Sequence, residues 1–274
     1  MTAAGTLRIN GKAYVWGTRT YLMAIVNVSP ESFSGGGISD AAIAVEQGRR
    51  FAADGADFID VGGQSTRPGF AEITIAEEMS RVVPVIRRLR ELVDAPISVD
   101  TYRAEVAAAA LDAGAALVND VSGLRSDVAM APLIASRGAA AVIMHNQRGR
   151  DFHDVAGDIL AGFRASLKIA DNAGVDRSRL IVDPGFGFGW TLDQNLEMLR
   201  RLSELKQIGL PVLVGTSRKS TIGSVLDLGP EERAWGTAAT VALAIANGAD
   251  IIRVHDVREM AQVARMSDAI VRGP

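Results

Sequence analysis

Residues 97–120 read ISVDTYRAEVAAAALDAGAALVND and contain the unit that decides the fold. A short apolar run, Ile97–Val99, ends at the polar Asp100, and an Ala-rich stretch of helical period follows it. Gly114 then suits the left-handed position that ends a helix. The next apolar run, Ala116–Val118, opens the following unit. This order of strand, helix, glycine and strand predicts a βα unit whose strands lie parallel to each other.

The same order continues along most of the chain. Eight apolar runs alternate with stretches of helical period. The runs are Tyr21–Val28, Phe58–Val61, Ile97–Val99, Ala116–Val118, Ala141–Met144, Leu180–Val182, Val212–Val214 and Ile251–Val254. Eight parallel strands can close into a barrel that has no edge and that side chains fill. The predicted fold class is therefore α/β, a (β/α)8 TIM barrel over about residues 20–272.

A β-hairpin is predicted before the barrel, over about residues 6–16. Leu7–Ile9 and Lys12–Val15 flank the dipeptide Asn10-Gly11, whose residues both tolerate a positive φ. We expect this hairpin to cover the bottom of the barrel. No linker, charge block or low-complexity segment divides the sequence, so we expect a single domain over residues 1–274.

The composition excludes several classes of protein. The 274 residues include 29 Lys and Arg against 32 Asp and Glu, and a net charge of −3 argues against a nucleic-acid partner. There is no cysteine, which excludes thiol catalysis, cysteine-bound metals and disulfides. No apolar run reaches the ~18 residues of a membrane span, and the first residues contain no apolar signal core. We therefore expect a cytoplasmic enzyme or small-molecule binder with no membrane contact.

A polar or ionisable side chain ends each of the eight apolar runs. In chain order these are Asn27, Asp60, Asp100, Asn119 with Asp120, His145, Asp183, Ser217-Arg218-Lys219, and Arg253 with His255. The carboxyl ends of barrel strands, with the loops after them, form the active sites of TIM barrels. A single residue such as Asp100 could equally cap the helix after it. Eight such ends at one face of the barrel indicate a functional site.

The acidic and amide side chains of this set point to a flat ligand. Asp60, Asp100 and Asp183 are carboxylates, and one or two asparagines accompany them. These groups accept and donate hydrogen bonds in pairs, which suits a heterocycle with adjacent N–H and N groups. A hydrogen bond between such a ring and a carboxylate contributes of the order of 1.5–3 kcal/mol.

Cations complete the predicted site, namely Arg67, Lys219, Arg253 and His255. They have no surplus acidic partners in this inventory, which suits a phosphate or pyrophosphate group. Gly215–Ser220 lacks the glycine of a P-loop but places Lys219 at the start of a predicted helix, where anions bind; a solvated basic turn is the alternative. Asn27 or a carboxylate could hold a phosphate-bound Mg²⁺, which needs only one or two protein oxygens.

Two other features are less specific. Gly185–Gly189, with the sequence GFGFG, follows a strand but lacks the spacing of a dinucleotide fingerprint. We interpret Phe188 in this segment as an apolar wall beside a ligand. His145 is as consistent with a buried core histidine as with a site residue.

Seven segments resemble the motifs of the dihydropteroate synthase family, in the family's order. They are MAIVNVSPESFS (23–34), DVGGQSTRPG (60–69), SVDT (98–101), NDVSG (119–123), DPG (183–185), SRK (217–219) and RVHD (253–256). They lie at the ends of successive strands and extend over about residues 21–260. No single segment is decisive, but the resemblance is specific because all seven occur in the family's order.

The resemblance implies a transferase of folate biosynthesis. Such an enzyme condenses (7,8-dihydropterin-6-yl)methyl diphosphate with 4-aminobenzoate, by a dissociative substitution in our interpretation, and yields 7,8-dihydropteroate and diphosphate with Mg²⁺ as cofactor. The resemblance also implies a sulfonamide target and a homodimer formed through helices outside the barrel. Ala234–Ala246 and Val263–Ile270 carry an apolar stripe that could form such an interface, although packing against the barrel is its default interpretation.

Carried over position by position, the resemblance implies three groups of site residues. The pterin ring would be bound by Asp100, Asn119, Asp183 and Lys219. Diphosphate would be bound by Asn27, Asp60, Thr66, Arg67, Arg253 and His255, with Asn27 also a ligand of the metal. The aminobenzoate pocket would be formed by Phe33, Thr66, Pro68, Phe188 and Ser220. The catalytic residues would be Asp100, Lys219, Arg253 and His255.

The sequence departs from the family pattern at Gln64, usually Glu, at Gly35, usually Asp, and at Trp190, usually Lys. Two other functions therefore remain as alternatives. The first is a related barrel that passes a methyl group from methyltetrahydrofolate to a corrinoid, but Lys219 and the Arg253/His255 pair favour a diphosphate ligand. The second is a paralogue that binds pterin without turnover, and a diphosphate-release assay separates it from the synthase.

Overall fold

The computed structural model describes residues 5–28, 38–64 and 72–273, and for residues 38–40 it describes the backbone alone. The strands are β1 (Thr6–Ile9), β2 (Lys12–Val15), β3 (Tyr21–Asn27), β4 (Phe58–Gly62), β5 (Ile97–Asp100), β6 (Leu117–Asp120), β7 (Ala140–Met144), β8 (Leu180–Asp183), β9 (Leu213–Val214) and β10 (Ile251–Val254). The helices are α1 (Ile38–Ala53), α2 (Ile75–Leu92), α3 (Ala104–Asp112), α4 (Met130–Arg137), α5 (Val155–Asn172), α6 (Leu192–Arg200), α7 (Ser220–Leu226), α8 (Ala234–Ala246) and α9 (Val257–Val271).

Strands β3–β10 form one eight-stranded parallel sheet in the order β8-β7-β6-β5-β4-β3-β10-β9. Neighbours in the sheet are neighbours in sequence except at the junction of β3 with β10. Val182 of β8 pairs with Val212, just before β9, and its N–H donates to the carbonyl oxygen of Pro211 at 3.0 Å. This contact joins the two outer strands, so the sheet closes into the predicted (β/α)8 barrel.

The predicted hairpin is present as the antiparallel pair β1–β2. Asn10 and Gly11 connect the strands with φ values of 51° and 77°, the positive values that a two-residue hairpin loop requires. Tyr14 is fully buried, and its ring centroid lies 4.5 Å from that of Phe58 at the start of β4. The hairpin packs against the first residues of several barrel strands, so it covers the amino-terminal end of the barrel, as predicted.

The helices surround the barrel and have local signals at their ends. Thr74 caps α2, since its hydroxyl accepts the N–H of Glu77 at 3.1 Å. The Glu77 carboxylate pairs with Arg81 at 2.6 Å, so an ion pair along the helix takes the place of the reciprocal half of a capping box. Gly138 ends α4 in the left-handed conformation. Over the residues described, no helix combines the length and apolarity needed to cross a bilayer.

Candidate active site

The register of the sheet brings predicted site residues from neighbouring strands to one level. Asn27 of β3 pairs with Gly62 of β4, which pairs in turn with Asp100 of β5. Asp100 pairs with Asn119 of β6. Asp60 lies two residues earlier in β4, one step deeper in the barrel. These positions converge at the carboxyl end of the barrel, where the active sites of TIM barrels form.

Arg253 of β10 links the carboxylates of two other strands. Its Nε donates to Asp60 Oδ2 at 2.7 Å, and its Nη2 donates to Asp100 Oδ2 at 2.6 Å. Asn119 Nδ2 also donates to Asp60 Oδ2, at 2.8 Å. Asp60 is fully buried, and its other oxygen, Oδ1, has no hydrogen-bond partner among the described residues. The carboxyl end of the barrel therefore contains a buried cluster of two carboxylates, an amide and a guanidinium.

This cluster corrects one expectation from the sequence. Arg253 was expected to lack an acidic partner, but it pairs with both Asp60 and Asp100. The partners lie 193 and 153 residues away along the chain, and only closure of the barrel brings them together. A ligand anion therefore competes with two carboxylates for this guanidinium.

Burial changes the proton affinity of the acidic groups at the site. It raises the pKa of Asp100, and the nearby Arg253 opposes this change. Burial also raises the pKa of Asp183, against the opposing effects of Lys219 and of the Gly185 N–H. That N–H donates to Asp183 Oδ1 at 2.7 Å. Both carboxylates therefore hold their protons more tightly than in water.

Lys219 precedes the first residue of α7, as the sequence predicted, and its ammonium group faces the loop after β8. Its Nζ donates to the carbonyl oxygen of Phe186 and lies 4.7 Å from the ring centroid of Phe188. Arg148 lies 4.7 Å from the same ring. Burial lowers the pKa of Lys219 to about 8, although Asp183 opposes this change. Phe188 is thus a half-buried ring with two cations close to it.

His255 follows β10 and contacts Ser217, which follows β9. The hydroxyl of Ser217 lies 3.0 Å from His255 Nδ1 and accepts the backbone N–H of His255 at 3.2 Å. Arg218, between Ser217 and Lys219, instead pairs with Asp256 at 2.6 Å. The SRK segment therefore contributes a hydroxyl and an ammonium group to the site, while its arginine forms a structural ion pair.

Several predicted residues are not tested by this geometry. Phe33, Thr66, Arg67 and Pro68 lie outside the described residues. Ser220 is the first residue of α7 and is exposed. The assignments of these five residues to diphosphate and aminobenzoate stay predictions.

His145, which follows β7, and Trp190 form a packed pair. His145 is 1% exposed, its Nε2 lies 2.8 Å from Gln147 Oε1, and burial lowers its pKa to about 4. The ring centroids of His145 and Trp190 lie 5.6 Å apart. Of the two interpretations of His145, the structure favours the buried core histidine, and Trp190 is part of the same core.

Sequence reasoning missed Tyr102, which lies two residues after Asp100. Its hydroxyl accepts a hydrogen bond from Gln64 Nε2 at 3.0 Å and donates one to Glu72 Oε1 at 2.6 Å. The sequence signal was the position of Tyr102 in the loop after β5, where site residues are expected. Its partners, 38 and 30 residues away, could not be read from that position.

Comparison with known proteins identifies the family. The family of pterin binding enzymes matches residues 23–255. A dihydropteroate synthase from Clostridium beijerinckii is 45% identical over 97% of this chain and 100% of its own length. A crystal structure of the Clostridium difficile dihydropteroate synthase in the presence of pteroic acid has a TM-score of 0.91 and 49% identity, and covers 94% of this chain and 98% of that one.

A second solved structure agrees with this result. The Xanthomonas albilineans dihydropteroate synthase with 4-aminobenzoic acid has a TM-score of 0.93 and 38% identity over 99% of this chain and 100% of that one. The similarity therefore extends over the barrel, the hairpin and the site. The chain belongs to the pterin binding enzymes and, within them, to the dihydropteroate synthases.

Proposed function

We propose that the chain condenses (7,8-dihydropterin-6-yl)methyl diphosphate with 4-aminobenzoate to give 7,8-dihydropteroate and diphosphate. Membership of the dihydropteroate synthases supports this reaction. The observation that carries the proposal is the buried cluster in which Arg253 contacts Asp60 and Asp100. It places carboxylates suited to a heterocycle beside a guanidinium suited to a diphosphate.

The pterin ring is assigned to Asp100, Asn119, Asp183 and Lys219. Asp183 is almost fully buried and shares its surroundings with Lys219, whose charge opposes the effect of burial on the carboxyl group. A carboxylate and an amide can each pair with adjacent ring nitrogens, and the ammonium group can donate to a ring oxygen. A ring held in this way can support positive charge on its exocyclic methylene carbon as the C–O bond breaks.

The diphosphate is assigned to Asn27, Asp60, Thr66, Arg67, Arg253 and His255. Arg253 and His255 supply hydrogen-bond donors beside the cluster, and such donors stabilise the negative charge that develops on a leaving group. We therefore favour a dissociative substitution in which the C–O bond breaks before the amine nitrogen attacks. Phe33, Thr66, Pro68, Phe188 and Ser220 are assigned to the aminobenzoate pocket, where exclusion of water favours capture by nitrogen.

Mg²⁺ fits the carboxyl end of the barrel at Asn27. Asn27 Oδ1 and Asp100 Oδ2 each lie 3.8 Å from the position that a Cβ atom would take at Gly62, so an amide oxygen and a carboxylate oxygen border the same point at this end of the barrel. Such oxygens are the ligands that Mg²⁺ prefers, and one or two of them suffice when phosphate and water complete the shell. When bound, the ion would neutralise charge on the diphosphate. Over the described residues, no group of three His, Asp or Glu side chains could hold a metal ion.

The proposed reaction is tested by diphosphate release from purified protein, the pterin diphosphate and Mg²⁺, with and without 4-aminobenzoate. We expect release that depends on 4-aminobenzoate. Release that ignores the amine, or pterin binding without release, would contradict the proposed reaction, and the latter result would identify the paralogue without turnover.

The leaving-group assignment is tested by Arg253→Ala and His255→Ala. Loss of a donor to a developing anion lowers kcat by about 10²-fold in comparable sites, and we expect a loss of this order. Arg88→Ala is the matched control, because Arg88 is exposed on α2, where it pairs with the exposed Glu91. Unchanged turnover in both site variants would exclude their role at the diphosphate.

We also propose that the protein is a cytoplasmic homodimer built from one domain over residues 1–274. The shared core of the hairpin and the barrel supports the single domain. Exposed apolar side chains on α8 and α9 support the dimer, with Trp235 at 87% and Ile270 at 72% exposure. Patches of this kind mark protein interfaces.

A further inference from the structure

A pocket lies at the amino-terminal end of the barrel, opposite to the candidate active site. It has a volume of about 350 Å³ and lies between the hairpin residues 8–10 and the chain just before β6, β7 and β8. Arg8 of β1 lines it on the hairpin side, Arg137 lines it at the end of α4, and Arg179 lines it at the end of a short 3-10 helix, Arg177–Arg179. Three separate elements therefore each bring an arginine to one pocket.

Two of these three arginines have no hydrogen-bonded partner among the described residues. Arg8 is exposed, because it lies on the face of β1 that points away from the core, and Arg179 is partly buried. Neither side chain forms an ion pair or a hydrogen bond with any residue that the structure describes, whereas Arg137 pairs with Asp112. The pocket therefore offers two guanidinium groups whose donors can bind a ligand.

Positive charge remains at the pocket after the carboxylates beside it are counted. None of the described residues that line the pocket is acidic. Asp112 neutralises Arg137. Hydrogen bonds from Ser178 lower the pKa of Asp176, and the charge of Arg179 lowers it further. Three guanidinium groups against two carboxylates favour an anionic ligand, and arginine is the side chain that binds phosphate through two donors at once.

The pocket has more room than a phosphate ion needs. A water molecule needs about 10–15 Å³ of such a volume, and sites for small organic molecules begin at about 300 Å³. The short side chains of Ala115 and Ala139 are part of the lining, and Asn10 adds a carboxamide that can donate and accept hydrogen bonds. The lining therefore suits a phosphate group that is attached to a small organic part with hydroxyl groups.

We propose that this pocket is a second binding site, for a small phosphate ester whose organic part carries hydroxyl groups. Arg8 and Arg179 bind the phosphate, and Asn10 pairs with the hydroxyl groups. A ligand at this site contacts both the hairpin and the starts of barrel strands, so its binding stabilises the hairpin against the barrel. The site is separate from the one that contains Arg253, and it does not depend on the proposed reaction.

The class of ligand is tested by calorimetric titration of the purified chain with ribose 5-phosphate, inorganic phosphate and ribose. We expect ribose 5-phosphate to bind with a Kd at least about fivefold below that of inorganic phosphate, because the ester adds hydrogen bonds from its hydroxyl groups. Ribose, which lacks the anion, should not bind. Equal affinity for the ester and the ion, binding of ribose alone, or no binding of the ester would overturn the proposal.

Variants test where the ester binds. Loss of one exposed guanidinium–phosphate contact corresponds to about a fivefold change, so Arg8→Gln and Arg179→Gln should each raise the Kd by about that factor, and R8Q/R179Q by more than about tenfold. Arg177→Gln is the matched control, because Arg177 lies in the same 3-10 helix, pairs with Asp171 at 2.6 Å and is not part of the pocket lining. An unchanged Kd in R8Q/R179Q, or loss of binding in Arg253→Ala, would overturn the proposed site.

Hydrogen exchange locates the ligand in the parent protein, without any substitution. We expect ribose 5-phosphate to slow the exchange of backbone amides within residues 6–15, and unchanged exchange there would overturn the proposal. None of these measurements uses turnover. A parent that binds the ester but releases no diphosphate would therefore contradict the proposed function and leave this site standing.

Discussion

Lys219 and Asp183 show how burial and charge oppose each other at a single residue. Burial favours the neutral form of each side chain, while their mutual attraction favours the charged forms. For Lys219 burial is the larger effect, and its pKa falls to about 8. The ammonium group is therefore charged near neutrality but titrates within an accessible range of pH.

This shift predicts the pH dependence of pterin binding. Below pH 8 Lys219 is charged and can donate to the ring, whereas above pH 8 it loses the proton, so affinity should fall as the pH rises through about 8. Fluorescence titration with a pterin between pH 6 and 9.5 measures this dependence. Lys219→Met should bind more weakly at pH 7 and lose this alkaline fall. A fall of equal size in the variant would assign the titration to another group.

His145 predicts a second pH effect, on stability. Its pKa is about 4 in the folded protein, below the 6.5 of the unfolded chain, so the unfolded state binds the extra proton first as the pH falls. The stability from neutral His145 is complete above pH 6.5 and is lost toward pH 4. We expect the free energy of unfolding to lose about 2 kcal/mol between pH 7 and pH 5 from this group.

Urea unfolding of the parent and of His145→Gln at both pH values isolates the His145 contribution. The stability advantage of the parent should shrink by about 2 kcal/mol at pH 5, because the variant lacks the titrating ring. An advantage that is the same at pH 5 and pH 7 would show that His145 does not titrate between the folded and unfolded states.

Single residues differ in how far the sequence predicted their positions and contacts. Asp100 and Asp183 were found from strand position alone, since the last residue of a barrel strand lies at the site face. The Arg253 ion pairs and the hydrogen bonds of Tyr102 with Gln64 and Glu72 were not found. Both depend on distances across the barrel or between loops, which a linear pattern does not contain.

At the scale of elements, the turn of the β1–β2 hairpin depends on a glycine with a positive φ. Gly11 has a φ of 77°, and apart from its chain neighbours no heavy atom of the described residues lies within 4 Å of the position of its missing Cβ. Gly11→Ala therefore adds backbone strain without a clash, and we expect a loss of about 1 kcal/mol in the free energy of unfolding. Gly229→Ala is the control, because Gly229 has a φ of −65°. Equal effects of the two substitutions in urea unfolding would contradict this explanation.

The sequence predicted most elements because a buried parallel strand reads as a continuous apolar run. The structure extends several strands into the polar residues after each run, such as Asp100 and Asp183, because backbone pairing continues after the apolar side chains end. At the start of α2 the sequence TIAE (74–77) is compatible with a capping box, but only the half that Thr74 supplies is present. Glu77 had two possible partners, and Arg81 four residues later was the better one.

At the scale of the whole molecule, the exposed apolar side chains of α8 and α9 predict a second copy of the chain. Leu243 is 57% exposed and Ile270 is 72% exposed. L243E/I270E places charges on this surface, and we expect light scattering to show a monomer where the parent is a dimer. Val128→Glu changes a residue that is 92% exposed on another part of the chain and should leave the dimer intact. A parent that is monomeric would contradict the proposed interface.

The ion pairs that form when the barrel closes affect which anions can bind at the site. Arg253 is already shared between Asp60 and Asp100. A simple anion such as inorganic phosphate could attract the guanidinium but offers nothing to the two carboxylates, and unpaired buried charges cost several kcal/mol. A molecule that carries both a heterocycle and a diphosphate satisfies all three groups together. We therefore expect these internal ion pairs to disfavour the binding of small inorganic anions.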